Sequence, residues 1–258
     1  MKNIKIAFFD IDGTLVDMNT KVISEKMLET LIRLKENNIL ICVATGRPIS
    51  NVPHFSGVEF DVFLTFNGSY CCNEKEVIFK KPIPAEDVQR IIQNAKGIGR
   101  PVVISSLDRM GANGKDKDLV DYFAITKHPI EVIDDFEELS REEIYQIMLG
   151  YQKEEGKKIL DQVDHAEITA WWTRAADIIP ANGGKGLGVK KVLEYYGFSK
   201  EDAIAFGDGN NDIEMLKAVG TGIAMGNATE DVKEIADEVC DSVRDDGIYH
   251  YCMEHHLI

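Results

Sequence analysis

Short, continuously apolar runs separated by stretches of helical period set the limits on what this chain can fold into. "IKIAFF" (4–9), "ILICVA" (39–44) and "DVFLTF" (61–66) are almost wholly apolar, the pattern of strands covered on both faces. Between the first two lies "SEKMLETLIRLKENN" (24–38), which places Met27, Leu28, Leu31 and Leu34 on one helical stripe. The rhythm returns at the other end. "KGLGVKKVLEYYG" (185–197) reads as a helix closed by Gly197, "AIAFG" (203–207) as a strand and "DIEMLKAVG" (212–220) as a helix. "TGIAM" (221–225) then reads as a strand and "TEDVKEIADEV" (229–239) as a helix. Such βαβα order predicts an α/β protein with a doubly wound, Rossmann-like parallel-sheet core.

The middle of the chain breaks the rhythm. A hairpin-like stretch after residue 67 runs into Pro82 and Pro84, and a helix ("AEDVQRIIQNAKGIG") and a strand ("RPVVISSL") follow. Residues 116–125 and 133–143 read as helices, 144–151 as a strand, "KKILDQV" as a helix and "AEITAWWTRAADIIP" as two alternating strand pieces. The expected organisation is a discontinuous core domain, 1–83 and 180–258, interrupted by an α+β domain over 84–179. There is no internal repeat and no low-complexity segment.

Charge narrows the function classes. Lys and Arg number 29 against 44 Asp and Glu, a net charge of −15. A nucleic-acid backbone would be repelled over most of such a surface, and an anionic substrate must be held by local cations. No window reaches the ~20 apolar residues a membrane span needs. The opening "MKNIKIAFFDIDG" meets Asp10 before a signal h-region is complete, so a cytoplasmic protein is expected. Five cysteines, at 42, 71, 72, 240 and 252, show no CxxC spacing and read as free thiols of a reducing compartment. The six histidines form no metal-ligand pattern, and His255 and His256 read as a solvated tail.

Four motifs follow strand-like runs or open helices. "DIDGT" (10–14) puts Asp10 and Asp12 at a strand end, where open α/β sheets bind ligands. One carboxylate can attack phosphorus while the second serves as general acid and base. Mg²⁺, which takes oxygen ligands, would relieve their repulsion; a solvated Asp-Gly turn is the alternative. "ATGRP" (44–48) offers the Thr45 hydroxyl, close backbone approach at Gly46, a helix start near Pro48 and Arg47, which could clamp a phosphate or a substrate carboxylate or hydroxyl. Its alternative is a plain connection with a surface arginine. "NGGKGLG" (182–188) sets Lys185 among glycines without the spacing of a Walker A loop, and a flexible linker is its alternative. "FGDGNNDIEML" (206–216) offers Asp208 at the strand end to complete a Mg²⁺ site and Asn211 as a donor to phosphate, and its acids disfavour a dinucleotide. All four would converge on one sheet edge, with acid oxygens for one hard cation and donors for one phosphate.

These four motifs resemble those of the haloacid dehalogenase (HAD) superfamily, and more narrowly the Cof-type phosphatases with a C2B-type α+β cap inserted between motifs two and three. "TFNGSY" (65–70) resembles that group as well. The resemblance implies that Asp10 is nucleophile and Mg²⁺ ligand. Asp12 would be the general acid/base, with its backbone carbonyl on the metal. Ile11, Thr45, Gly46, Lys185 and Asn211 would bind phosphate, with Lys185 part of the catalytic set; Asp208 would ligate Mg²⁺, and Asp212 would support it directly or through water. The second aspartate, absent from the dehalogenase branch, favours phosphoryl chemistry. The implied function is Mg²⁺-dependent hydrolysis of sugar phosphates or similar small phosphorylated metabolites through an aspartyl-phosphate, with a cap that closes over the site. A sugar phosphomutase and a non-catalytic phosphometabolite-binding protein are the alternatives. Trp171, Trp172, Arg174, Arg109 and His128 are candidates for contacting the leaving group, and a monomer or weak dimer is expected.

Overall fold

The structure is a computed structural model that describes residues 4–125, 129–169 and 172–258. Two compact units emerge: one formed by Met1–Lys80 with Gly184–Ile258, the other by Lys81–Gly183. The core unit opens with β1 (Ile6–Phe9), α1 (Glu25–Glu36), β2 (Leu40–Ala44), β3 (Val62–Thr65), β4 (Tyr70–Asn73) and β5 (Val77–Lys80). The inserted unit carries α2 (Ala85–Gly97), β6 (Val102–Ser105), β7 (Met110–Ala112), α3 (Lys117–Ile125) and α4 (Phe136–Leu139). It continues through β8 (Gln146–Gly150), α5 (Gly156–Ile159), β9 (Ala166–Thr169) and β10 (Ala175–Pro180). The core resumes with α6 (Lys185–Tyr196), β11 (Ala203–Gly207), α7 (Ile213–Ala218), β12 (Thr221–Ala224), α8 (Glu230–Ile235), β13 (Glu238–Val239) and α9 (Gly247–Glu254).

The core sheet has the order β13-β12-β11-β1-β2-β3-β4-β5, parallel from β13 to β3 and antiparallel beyond. From β1 the chain winds outward to β3, and after the insertion it winds the other way from β11. The winding therefore reverses between β1 and β11, and the crevice at the carboxyl ends of these strands is where such sheets bind ligands. β1 is buried on both faces because its side chains feed two apolar layers. Ala7 and Phe9 join Leu31, Leu34 and Phe206 on one side, while Ile6 and Phe8 join Leu64, Val189 and Leu216 on the other. Each fully buried side chain of this size contributes about 1.5–3 kcal/mol.

Helix α1 lies against the first layer through Met27, Leu31 and Leu34 and is capped where Ser24 Oγ accepts the Met27 N–H at 3.0 Å. Glu25 in its first turn and Arg33 and Lys35 in its last complement the helix dipole. The inserted unit is an antiparallel five-stranded sheet, β7-β6-β8-β10-β9. One face packs on α2 and α5, and the other on α3.

Several local expectations change. The units divide at 80/81 and 183/184 rather than at 83/84 and 179/180. The reason is pairing: Ile83 bridges Ile144, Pro180 completes β10, and the Ala181 N–H reaches His165 O at 2.9 Å. The helix expected over 229–239 stops at Ile235, and Glu238–Val239 adds an edge strand beside β12. Helix in 133–143 is confined to Phe136–Leu139, and "KKILDQV" is helical only to Ile159. Residues 247–254 form α9, whose Tyr251 and Cys252 enter the core. His255 is not a solvated tail: it stacks on Tyr251 with centroids 4.1 Å apart and approaches Glu238 at 3.5 Å. All five cysteines are free, and four of them are buried.

Candidate active site

Asp10 is the first residue beyond β1, and its N–H is pinned to Phe206 O at 3.1 Å. The chain then turns at once, with the Leu15 and Val16 N–H groups both donating to Ile11 O. Gly13 makes that turn possible. Its φ is +92°, and a Cβ there would sit 2.2 Å from Asp208 Oδ2. Asp208 follows β11 directly and accepts a 3.0 Å hydrogen bond from Thr14 Oγ1, which ties the two strand ends together.

Lys185, at the start of α6, is wholly buried, and its Nζ lies 2.5 Å from both Asp10 Oδ1 and Asp212 Oδ1. Asp212 Oδ2 accepts the N–H groups of Asp208 and Gly209, each at 3.0 Å. Gly186 and Gly188 are packing positions rather than a linker. A Cβ at Gly186 would meet Glu214 O at 2.5 Å, and one at Gly188 would meet Leu64 Cδ1 at 2.7 Å.

The electrostatics follow from this burial. Burial raises the Asp10 carboxyl well above its ordinary range; Lys185 opposes that rise, and Asp212 and Asp208 add to it. Asp208 is pushed up to about 7, by burial first and Asp212 second, against the Thr14 hydrogen bond. Burial pulls the Lys185 ammonium down, yet Asp10 and Asp212 outweigh it and hold the group above its ordinary range. Oxygens of Asp10, Asp208 and Asp212 all lie within 4.8 Å of one another. Three carboxylates share one ammonium, and every donor in the triad is a hard oxygen. That set fits a cation of the Mg²⁺ class.

The other expected residues are arranged less simply. Thr45 is buried beside β3, donating its N–H to Leu64 O and accepting the Arg47 N–H on Oγ1 at 3.2 Å. Pro48 is followed by a single 3₁₀ turn over Ile49–Asn51, so no α-helix starts there. The Arg47 guanidinium makes a forked pair with Asp12, Nε to Oδ2 and Nη2 to Oδ1, both at 2.8 Å, and gives a third hydrogen bond to Asn51 O. The Asp12 side chain thus faces Arg47 and lies outside the acidic triad. Asn211 donates to Asn67 Oδ1 at 3.1 Å.

Sequence reading assigned no role to Thr14, Asn67 or Asn227. Asn227 Nδ2 donates to Gly13 O at 2.8 Å, and its Oδ1 accepts the Val243 N–H. Nothing local marks Asn227, whereas the Asn-Gly step at 67–68 signals left-handed backbone. In the inserted unit, Arg174 lies 4.5 Å over the Trp172 ring and pairs with Asp118 and Asp121, while Arg109 pairs with Asp135 and Glu142. His128 and Trp171 lie outside the described residues.

Comparison with known proteins decides the family. Residues 7–252 match the family described as haloacid dehalogenase-like hydrolase. The chain belongs to that family. It is 35% identical over 252 residues to YkrA of Bacillus subtilis (strain 168), covering 97% of each chain. It is 29% identical to 5-amino-6-(5-phospho-D-ribitylamino)uracil phosphatase YitU of the same organism, over 95% of both. Among solved structures, the HAD subclass IIB sugar phosphatase BT4131 superposes with a TM-score of 0.89 at 32% identity, over 98% of this chain and 100% of that one. Family and relatives together make this HAD-family chain a phosphatase with a Cof-type fold.

Proposed function

We propose that this phosphatase hydrolyses phosphate monoesters of sugars or similar small metabolites through an aspartyl-phosphate on Asp10, with Mg²⁺ as cofactor. The buried cluster of Asp10, Lys185, Asp212 and Asp208 carries the reading. Asp10, Asp208 and the backbone carbonyl of Asp12 would hold the ion, with Asp212 supporting it while its own oxygens stay on Lys185 and the 208–209 amides. When bound, the ion neutralises charge on the phosphoryl oxygens and on the triad.

This chain's own residues do the rest. An Asp10 oxygen attacks phosphorus as the bond to the leaving oxygen breaks, and Asp12 gives that oxygen its proton. Water then attacks the phosphorus of the acyl-phosphate, Asp12 recovers a proton, and inorganic phosphate leaves with Asp10 restored. Arg47 orients Asp12 through the forked pair. Lys185, Asn211, Thr45 and the backbone of Ile11 and Gly46 hold the phosphoryl oxygens. We assign the choice of leaving group to the inserted unit, where Trp172, Arg174 and Arg109 stand as candidates. We place the enzyme in the cytoplasm as a monomer or weak dimer, in keeping with its free cysteines and net charge of −15.

The test is phosphate release from p-nitrophenyl phosphate, with and without Mg²⁺, by the wild type and Asp10→Asn. Metal-dependent turnover that disappears in the variant is the expected result. A fully active Asp10→Asn protein overturns the covalent route. Isomerisation of a sugar phosphate without phosphate release replaces the hydrolase with a mutase.

A further inference from the structure

The turn after β3 has an unusual backbone. Phe66, Asn67 and Gly68 have φ of 49°, 52° and 88°, three successive residues in the left-handed region. Non-glycine residues enter that region rarely, and such conformations persist only where surrounding contacts hold them. Here the contacts come from the "ATGR" segment. The Phe66 N–H donates to Arg47 O at 3.1 Å, and the Asn67 N–H donates to Thr45 O at 3.0 Å.

This backbone turns the Asn67 side chain inward, where it is 3% exposed. Its amide lies against Gly46, so closely that a Cβ at Gly46 would sit 3.1 Å from both Oδ1 and Nδ2. Its Oδ1 accepts from Asn211 Nδ2 at 3.1 Å, a residue 144 positions further along the chain. One side chain thus touches two of the segments assigned phosphate donors, those of Gly46 and Asn211. An acceptor at this place also sets the Asn211 amide. The nitrogen of Asn211 turns to Asn67, keeping a second N–H for another acceptor. Its Oδ1 turns to Gly209, where a Cβ would meet it at 2.7 Å. Rotating the amide by half a turn would bring two carbonyl oxygens together and present an acceptor where the phosphate needs a donor.

We propose that Asn67 is a positioning residue that holds Asn211 with its nitrogen available to a phosphoryl oxygen. The proposal rests on the reading of Asn211 as a phosphate donor. A merely structural Asn67 would affect folding, whereas a positioning Asn67 acts through Asn211, and a double-mutant cycle separates the two.

The variants are Asn67→Gly, Asn211→Ala and the double. Glycine keeps the left-handed backbone and deletes only the side chain. Two quantities are measured with Mg²⁺ present: kcat/KM for p-nitrophenyl phosphate, and the Kd of inorganic phosphate by calorimetry. Asn67→Gly alone is expected to lower kcat/KM and weaken phosphate binding by about tenfold each, the worth of one buried hydrogen bond, with a near-wild-type melting temperature. In the Asn211→Ala background the same change is expected to alter either quantity by less than about twofold. Effects that multiply in full, or an Asn67→Gly protein with unchanged phosphate affinity, overturn the proposal. A wild type that binds phosphate but releases none from the ester counts against hydrolysis alone, because the cycle is then read from Kd. A wild type that does not bind phosphate overturns both.

Discussion

The ammonium nitrogen of Lys185 lies 2.5 Å from Oδ1 of Asp10, and both side chains are buried. Lys185 is the cation that lets Asp10 and Asp212 share this space, since removing one partner of a buried pair leaves an uncompensated charge. Lys185→Met should destabilise the metal-free protein by about 3–5 kcal/mol, read from urea or thermal unfolding. Mg²⁺ should recover more stability in the variant than in the wild type, because it replaces the missing positive charge. Ester turnover should fall by about a hundredfold or more, as when one donor to developing charge is lost. Equal melting of variant and wild type without metal would contradict this account.

Gly13 leaves free the space that Asp208 fills. The 2.2 Å separation between a Cβ at position 13 and Asp208 Oδ2 leaves no room for alanine, and the φ of +92° adds strain. Gly13→Ala must push the carboxylate away from Thr14 or open the turn. Its kcat should drop by about a hundredfold or more, the cost of misplacing a reacting constellation by an ångström, and Mg²⁺ should no longer raise its melting temperature as in the wild type. An alanine variant with full activity and metal response would mean that the turn relaxes freely.

Arg47 was expected to clamp phosphate or substrate, yet its guanidinium is spent on Asp12 and Asn51 O. Lysine retains the charge and loses the fork. Arg47→Lys is therefore expected to lower kcat by about tenfold to a hundredfold, part of the usual acid–base contribution, with KM nearly unchanged. A large rise in KM at constant kcat would restore Arg47 to the role of substrate clamp.

In the inserted unit, Asp177 is buried and pushed up to about 6 by burial, against hydrogen bonds from Tyr122, at 2.8 Å, and Gln146. Its folded pKa exceeds its ordinary value of 3.8, so between those values the folded state binds the extra proton. Stability from this group is then highest at low pH and falls as pH rises toward 6. The full loss is about 3 kcal/mol, at 1.36 kcal/mol per unit. Asp177→Asn, which keeps an acceptor for Tyr122, should gain on the wild type by about that amount between pH 4 and pH 7. Urea midpoints at the two pH values check it, and parallel profiles would refute it.

What could be read from the sequence was local. The continuous apolar runs announced strands buried on both faces, and Asp10 and Asp208 could be placed because each directly follows such a strand. The Ser24 cap and the Met27, Leu31 and Leu34 stripe defined α1 from within its own turns. β13 could not be read in this way. Both of its residues are exposed, and its hydrogen bonds belong to β12. Helix α9 was missed because its buried stripe takes its meaning from Phe206 and the rest of the first apolar layer.

The candidate site divides along the same line. Residue types and strand-end positions put four candidate motifs on one edge. Only the tertiary structure decided which side chain meets which. Arg47 reaches Asp12 across 35 positions of chain, Asn211 reaches Asn67 across 144, and Lys185 reaches Asp10 across 175. Local sequence carries backbone propensity and periodicity, whereas these partners are chosen by the order of parallel strands, which brings together strand ends that are remote along the chain.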